Sequence, residues 1–101
     1  MVAIDSKERR DYIIDGKLIP CGYEQISPSS VVGLSVPKGA RVALIQALTQ
    51  NVRWRDDGTN PTTVTGMQLA AGRDTLYTGD LSAIRFLEEA ASAEVNVTYY
   101  F

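Results

Sequence analysis

Residues 52 to 66, VRWRDDGTNPTTVTG, place two arginines, the one tryptophan and two adjacent aspartates within six positions, followed by a run of turn formers. Arg53 and Arg55 flank Trp54, an arrangement that can stack on an aromatic ligand, grip a carboxylate or anchor a protein interface. Asp56 and Asp57, with Asn60 and Asp80, offer oxygen donors of the kind Ca²⁺ prefers. Their spacing matches no complete ligand loop, and neighbouring residues of an extended chain point to opposite faces, so the two aspartates do not converge on one ion. Turn chemistry accounts for the same residues without a metal. Asp57-Gly58 reverses the chain, Asn60-Pro61 sets an extended step, and the hydroxyls of Thr62 and Thr63 can satisfy loose backbone amides. Trp54 then belongs to the core side of a strand, and the two arginines face outward toward Asp56, Asp57, a neighbouring strand or another subunit.

Catalysis is poorly served elsewhere. The chain has no histidine, which removes the commonest general base and the commonest transition-metal ligand. Cys21, between Pro20 and Gly22, has no histidine to activate it and reads as a small packed residue. Glu88-Glu89 reads as a pair of solvated turn charges rather than an acid and a base held across a cleft. GLSVPKG lacks the spacing of a phosphate-binding loop. The residues therefore predict a non-enzymatic protein with no catalytic, cofactor or metal site.

The elements that position these residues follow from length and pattern. A chain of 101 residues, 45% hydrophobic and 22% charged, is an ordinary folded composition with room for one domain. Ten basic against 12 acidic residues give a net charge of −2, which provides no basic field for nucleic-acid phosphates, so no direct nucleic-acid contact is expected. No run approaches the roughly 20 apolar residues that cross a bilayer, and the charged start lacks the apolar core of a signal peptide. One cysteine allows no intramolecular disulfide, which suits a reduced compartment.

Residues 1–11 are polar, with Lys7, Glu8, Arg9, Arg10 and Asp11 in a near-continuous run, and read as an arm. Asp15-Gly16 within YIIDGKLI is a hairpin signal over 12–19. Pro37-Lys38-Gly39 marks a turn before RVALIQAL, a strand that would pair with NVRWR as a hairpin through Thr49-Gln50-Asn51. GMQLAAG, DTLYTG and AIRFLEE supply further short strands, with a helix as the rival over 81–92 capped by Asp80. EVNVTYYF alternates, with Val95, Val97, Tyr99 and Phe101 on one side. Short strands separated by Gly, Pro and Asn turns predict an all-β fold over 12–101: a small single-domain antiparallel β-sandwich or barrel of about seven strands, preceded by the arm. Apolar short strands and uncovered edges further predict a homo-oligomer, trimer before dimer. Ordering of the arm on a neighbouring subunit would set Arg9 and Arg10 against acidic groups there.

Residues 40–101 also carry a long motif. ARVALIQALTQNVRWRDDGTNPTTVTGMQLAAG followed by LYTGDLSAIRFLEEAASAEVNVTYYF resembles a family of small tailed-bacteriophage proteins. That family carries A-x-x-A-L-I-Q-A, V-R-W-R-D-D-G-T-x-P-T, G-M-x-L and Y-T-G-D-L-S-A-I-R-F, and ends in N-V-x-Y-Y. The resemblance implies a virion structural protein, made in the host bacterial cytoplasm and located in the particle. It would decorate or cement the capsid shell against the major capsid protein or other virion proteins, with a tail or neck component as the alternative position. It implies no catalytic residue. Arg53, Arg55, Asp56 and Asp57 then form a stiff corner whose tip meets another subunit. The runner-up is a carbohydrate-binding β-module, in which Trp54, Tyr77 and Tyr99 would stack on sugar rings while Asp56 or Asp57 accepted hydroxyl hydrogen bonds.

Overall fold

Alternation of apolar and polar side chains, broken by turn residues, yields seven strands: β1 (Pro20–Ile26), β2 (Val42–Leu48), β3 (Val52–Arg55), β4 (Met67–Leu69), β5 (Asp74–Tyr77), β6 (Arg85–Glu88) and β7 (Glu94–Tyr100). The computed structural model describes residues 18–101, and no helix occurs among them. The arm of residues 1–11, with Arg9 and Arg10, and the Asp15-Gly16 turn lie outside the described residues. Segment 81–92, where a helix competed on propensity, contains β6 because Ile84 and Phe86 enter the core while Arg85 and Leu87 face away.

The strands form two antiparallel sheets, β1-β7-β2-β5 and β4-β3-β6. The stretch 28–32 lies along the free edge of β6. Val32 and Phe86 exchange backbone hydrogen bonds at 3.1 and 2.9 Å, and the Glu88 amide donates to the Pro28 carbonyl at 2.9 Å. With that segment counted as a strand, the second sheet reads 28–32, β6, β3, β4. The pairings are then nested about the 56–66 loop: β3 with β4, β2 with β5, 28–32 with β6, and β1 with β7. One long antiparallel hairpin has been rolled so that β7 also meets β2 and β6 also meets β3. This is the jelly-roll topology, two Greek keys closed into a sandwich.

Rolling corrects the expected pairing of β2 with β3. Both edges of β2 are occupied, by β7 and β5, so β3 joins the opposite sheet. Thr49, Gln50 and Asn51 form a corner between sheets instead of a hairpin turn, with Thr49 held at φ 67°. A matching corner carries the chain from β6 to β7 through Ser92, at φ 75°. The Thr49 hydroxyl donates to the Ser92 carbonyl at 2.5 Å, so the two strained corners brace each other.

Between the sheets, Ala43, Ile45 and Ala47 of β2 and Val95, Val97 and Tyr99 of β7 meet Val52, Leu69, Ile84 and Phe86. Phe101, expected on the inner side of β7, lies past the end of the strand and is 44% exposed. The Pro37–Ala40 turn forms as expected, closed by a 3.1 Å bond from the Ala40 amide to the Pro37 carbonyl.

Phe86 is fully buried and touches the centre of this core, where truncation leaves a cavity that neighbouring strands cannot close. Phe86→Ala is expected to lose about 3–5 kcal/mol of unfolding free energy, measured by urea denaturation. A loss below about 1 kcal/mol would mean that the site collapses around the smaller side chain.

Candidate functional site

The four passages of chain between 26 and 28, 48 and 52, 69 and 74, and 88 and 94 lie at one end of the sandwich. The opposite end carries the loops 33–41, 56–66 and 78–84. The residues singled out in the sequence divide between the outer face of the three-stranded sheet and that loop end.

Arg53 lies on the outer face of β3, opposite Gln68 of β4 and Leu87 of β6. Its Nε donates to Glu89 Oε2 at 2.5 Å, and its Nη1 to the Gly66 carbonyl at 3.0 Å. Gln68 Nε2 reaches the same Glu89 oxygen at 2.8 Å, and Asn51 Nδ2 reaches Oε1 at 3.3 Å. Hydrogen bonds from Gln68 first, then from Arg53 and Asn51, hold the Glu89 carboxyl below its ordinary value of 4.5. Asn51 Oδ1 also accepts from the Ala71 amide at 2.9 Å, and the Asn51 carbonyl accepts from the Glu89 amide at 3.0 Å. Glu88 turns the other way and accepts from the Ala93 amide at 3.2 Å. The two glutamates therefore hold the corner between sheets instead of lying free in solvent.

Arg55 is committed locally. Its Nε and Nη2 donate to Asp57 Oδ1 and Oδ2 at 3.0 and 2.5 Å, a bidentate pair that stiffens the exposed turn. Hydrogen bonding from Arg55 holds the Asp57 carboxyl below its ordinary value of 3.8. Asp56 points to the opposite side, as an extended backbone requires, and its Oδ2 accepts from the Tyr77 hydroxyl at 2.7 Å. The Asp80 carbonyl lies 3.2 Å from the same hydroxyl. Burial, followed by the Asp56 hydrogen bond, drives the Tyr77 phenol far above its ordinary range. The ring of Tyr77 meets Trp54 edge-on, with centroids 5.8 Å apart and planes at 72°. A side chain at Gly79 would begin 2.5 Å from the Tyr77 oxygen, so glycine there leaves room for the hydroxyl that donates to Asp56.

A second phenol–carboxylate pair, Tyr99 with Glu24, joins β7 to β1, and Glu24 Oε2 also accepts from the Ser35 amide at 2.9 Å. Sequence reading missed both pairs, as it missed Asn51, Gln68 and Glu89. Asp80 does not cap a helix; its Oδ1 accepts from the Ser82 amide at 2.9 Å and the Ser82 hydroxyl at 2.6 Å.

A recess of about 260 Å³ opens beside Trp54, lined by Arg55, Asp56, Asp57, Gly66 and Met67. Gly66 lies close against β3: at φ 129°, a Cβ there would lie 3.0 Å from the Trp54 carbonyl. The aromatics proposed as a sugar platform do not share this recess. Tyr77 and Tyr99 are buried with their hydroxyls bonded to carboxylates, which leaves the half-buried Trp54 alone at the surface. No group of three or more Cys, Asp and Glu suited to a metal ion occurs among the described residues. Comparison of the chain with protein-family models, curated proteins and solved structures finds no match.

Glu89→Gln removes the charge that Arg53 binds. Because the folded value of Glu89 is depressed, its contribution is fully present above 4.5 and is lost as pH falls through the lower folded value. The melting temperature of Glu89→Gln should lie below that of the wild type at pH 7, with the gap closing under acid. A gap unchanged from neutral to acid pH would remove Glu89 from the linkage. Tyr77→Phe should cost about 1–2 kcal/mol through the lost hydroxyl bond, measured by urea denaturation.

Proposed function

We propose that this chain is a non-enzymatic bacteriophage virion protein that adheres to the capsid shell as a decoration or cement subunit. The observation that carries the reading is the long motif of residues 40–101, from ARVALIQAL through VRWRDDGT and YTGDLSAIRF to NVTYY. The jelly roll is compatible with it, since viral capsid domains use that topology, but lectins and cupins use it too and a fold does not assign a function. What the architecture supplies is a two-sheet scaffold. Its backbone groups are closed into two sheets, and its loops and outer faces are left for contact.

The outer face of the four-stranded sheet fits self-association. Register places Tyr23, Thr98, Leu44 and Leu76 in one row across all four strands, and Tyr23 and Leu76 are exposed. Beside that row, Asn96 Oδ1 accepts from Tyr23 Oη at 2.7 Å and from Gln25 Nε2 at 2.9 Å, and Asn96 Nδ2 donates to Gln46 Oε1 at 3.1 Å. The apolar strip bordered by a fixed polar ladder is the kind of surface that symmetric copies cover. The partners are then copies of this chain, a trimer before a dimer, together with the major capsid protein or another virion protein.

Quantitative mass spectrometry of purified particles tests the assignment. A copy number that scales with the shell lattice is expected. A few copies per particle would move the protein to the neck or tail, and its absence from particles would end the virion reading. Light scattering should show an oligomer at tens of micromolar, where a standard interface holds; a monomer would remove the self-association.

A further inference from the structure

The recess beside Trp54 has a chemistry that its internal bonds do not use up. Three of the four carboxylate oxygens on its rim are engaged: both of Asp57 by Arg55, and Oδ2 of Asp56 by Tyr77. Asp56 Oδ1 accepts no hydrogen bond among the described residues, and Asp56 is exposed. Arg55 balances Asp57, which leaves the charge of Asp56 as the local excess. Across the recess are apolar walls, the half-buried indole of Trp54 and the thioether of Met67, its cross-strand partner, 60% exposed.

An indole, a thioether and one uncompensated carboxylate select for a cation with an apolar stem. A guanidinium or ammonium is attracted to an aromatic ring and to a carboxylate together, while its methylenes cover the apolar wall. The volume of about 260 Å³ suits a single side chain rather than a larger ligand. A sugar would need several converging donors, and Arg55, the cation on the lining, is already spent on Asp57. We infer that the recess formed by Trp54, Asp56, Gly66 and Met67 is a socket for an arginine side chain of a protein partner. The turn around Asp57-Gly58 then acts as the rim that guides the side chain in, and the Arg55–Asp57 pair fixes that rim. The inference extends the virion reading by naming how a partner would be gripped, yet it concerns a property of the isolated protein.

Trp54 is the one tryptophan in the chain, so its fluorescence reports directly on the socket. The probe is N-acetyl-arginine amide, titrated into the full-length protein beside N-acetyl-citrulline amide, a neutral near-isostere. A saturable change with the arginine probe is expected, weakened by added salt, with the citrulline probe at least about tenfold weaker. Asp56→Asn should reduce the arginine response by about tenfold. Asp56 also anchors Tyr77, so Met67→Lys serves as a second variant: at an exposed position it places a tethered ammonium in the socket and should abolish the response without unfolding the sandwich. No saturable change, or an equal response to citrulline, would overturn the inference. So would an undiminished response in a folded Met67→Lys protein. Failure here leaves the copy number in particles untouched, and absence from particles leaves the socket standing.

Discussion

The structure depends on how the chain changes sheets. A rolled hairpin must carry its backbone across the core edge repeatedly, and each passage exposes amides and carbonyls that neither sheet can pair. At one end these groups are satisfied by a compact set of side chains. Asn51 bonds the Ala71 amide and Glu89, the Thr49 hydroxyl bonds the Ser92 carbonyl, and Glu88 accepts the Ala93 amide. Backbone bonds add Gly72 to Ala47 at 2.8 Å and Glu89 to Asn51 at 3.0 Å. Thr49 and Ser92 adopt positive φ without being glycine, a local strain that persists because the neighbouring corner holds each in place.

The other end carries the longer loops and is tied by its own bonds, among them Tyr77 to Asp56 and the Ser35 amide to Glu24. The 56–66 loop lies at the tip of the rolled hairpin and carries the exposed Val64, while Asp57, Gly58 and Thr59 face solvent. It is nevertheless anchored beneath. Pro61 is buried, the Thr62 amide donates to the Thr65 carbonyl at 2.9 Å, and Thr62 Oγ1 accepts from the Thr65 amide at 2.9 Å. An exposed loop on a braced base is a common arrangement for recognition, because the scaffold meets the ordering cost before a partner arrives.

The two arginines around Trp54 look equivalent in sequence and differ in role. Arg53 bridges β3, Gly66 just before β4 and the corner after β6, so its guanidinium joins segments that are far apart in the chain. Arg55 reaches only two residues, to Asp57, and sets the shape of a turn. Buried phenols make the corresponding long-range links. Tyr77 ties β5 to the residue following β3, across the two sheets, and Tyr99 ties β7 to β1 within one sheet. In each case a carboxylate that would otherwise be solvated accepts the one polar atom of a large buried ring.

Period-two alternation over 94–100, together with short runs bounded by Gly, Pro and Asn turns, determined the all-β class. The opposite directions of Asp56 and Asp57 and the outward arginines were legible from the same alternation, and the turn at 37–40 from its proline and glycine. The pairing of strands was not. Two adjacent strands joined by a short turn suggest a hairpin, and nothing within Thr49-Gln50-Asn51 announces that both edges of β2 will be claimed by strands from later in the chain. Glu89 reads as a surface charge because its partner Arg53 is 36 positions away, and Tyr99 reads as a plain core ring because Glu24 is 75 positions away. Local patterns encode which face a residue shows; which residue it meets there is decided by the rolling of the sheets.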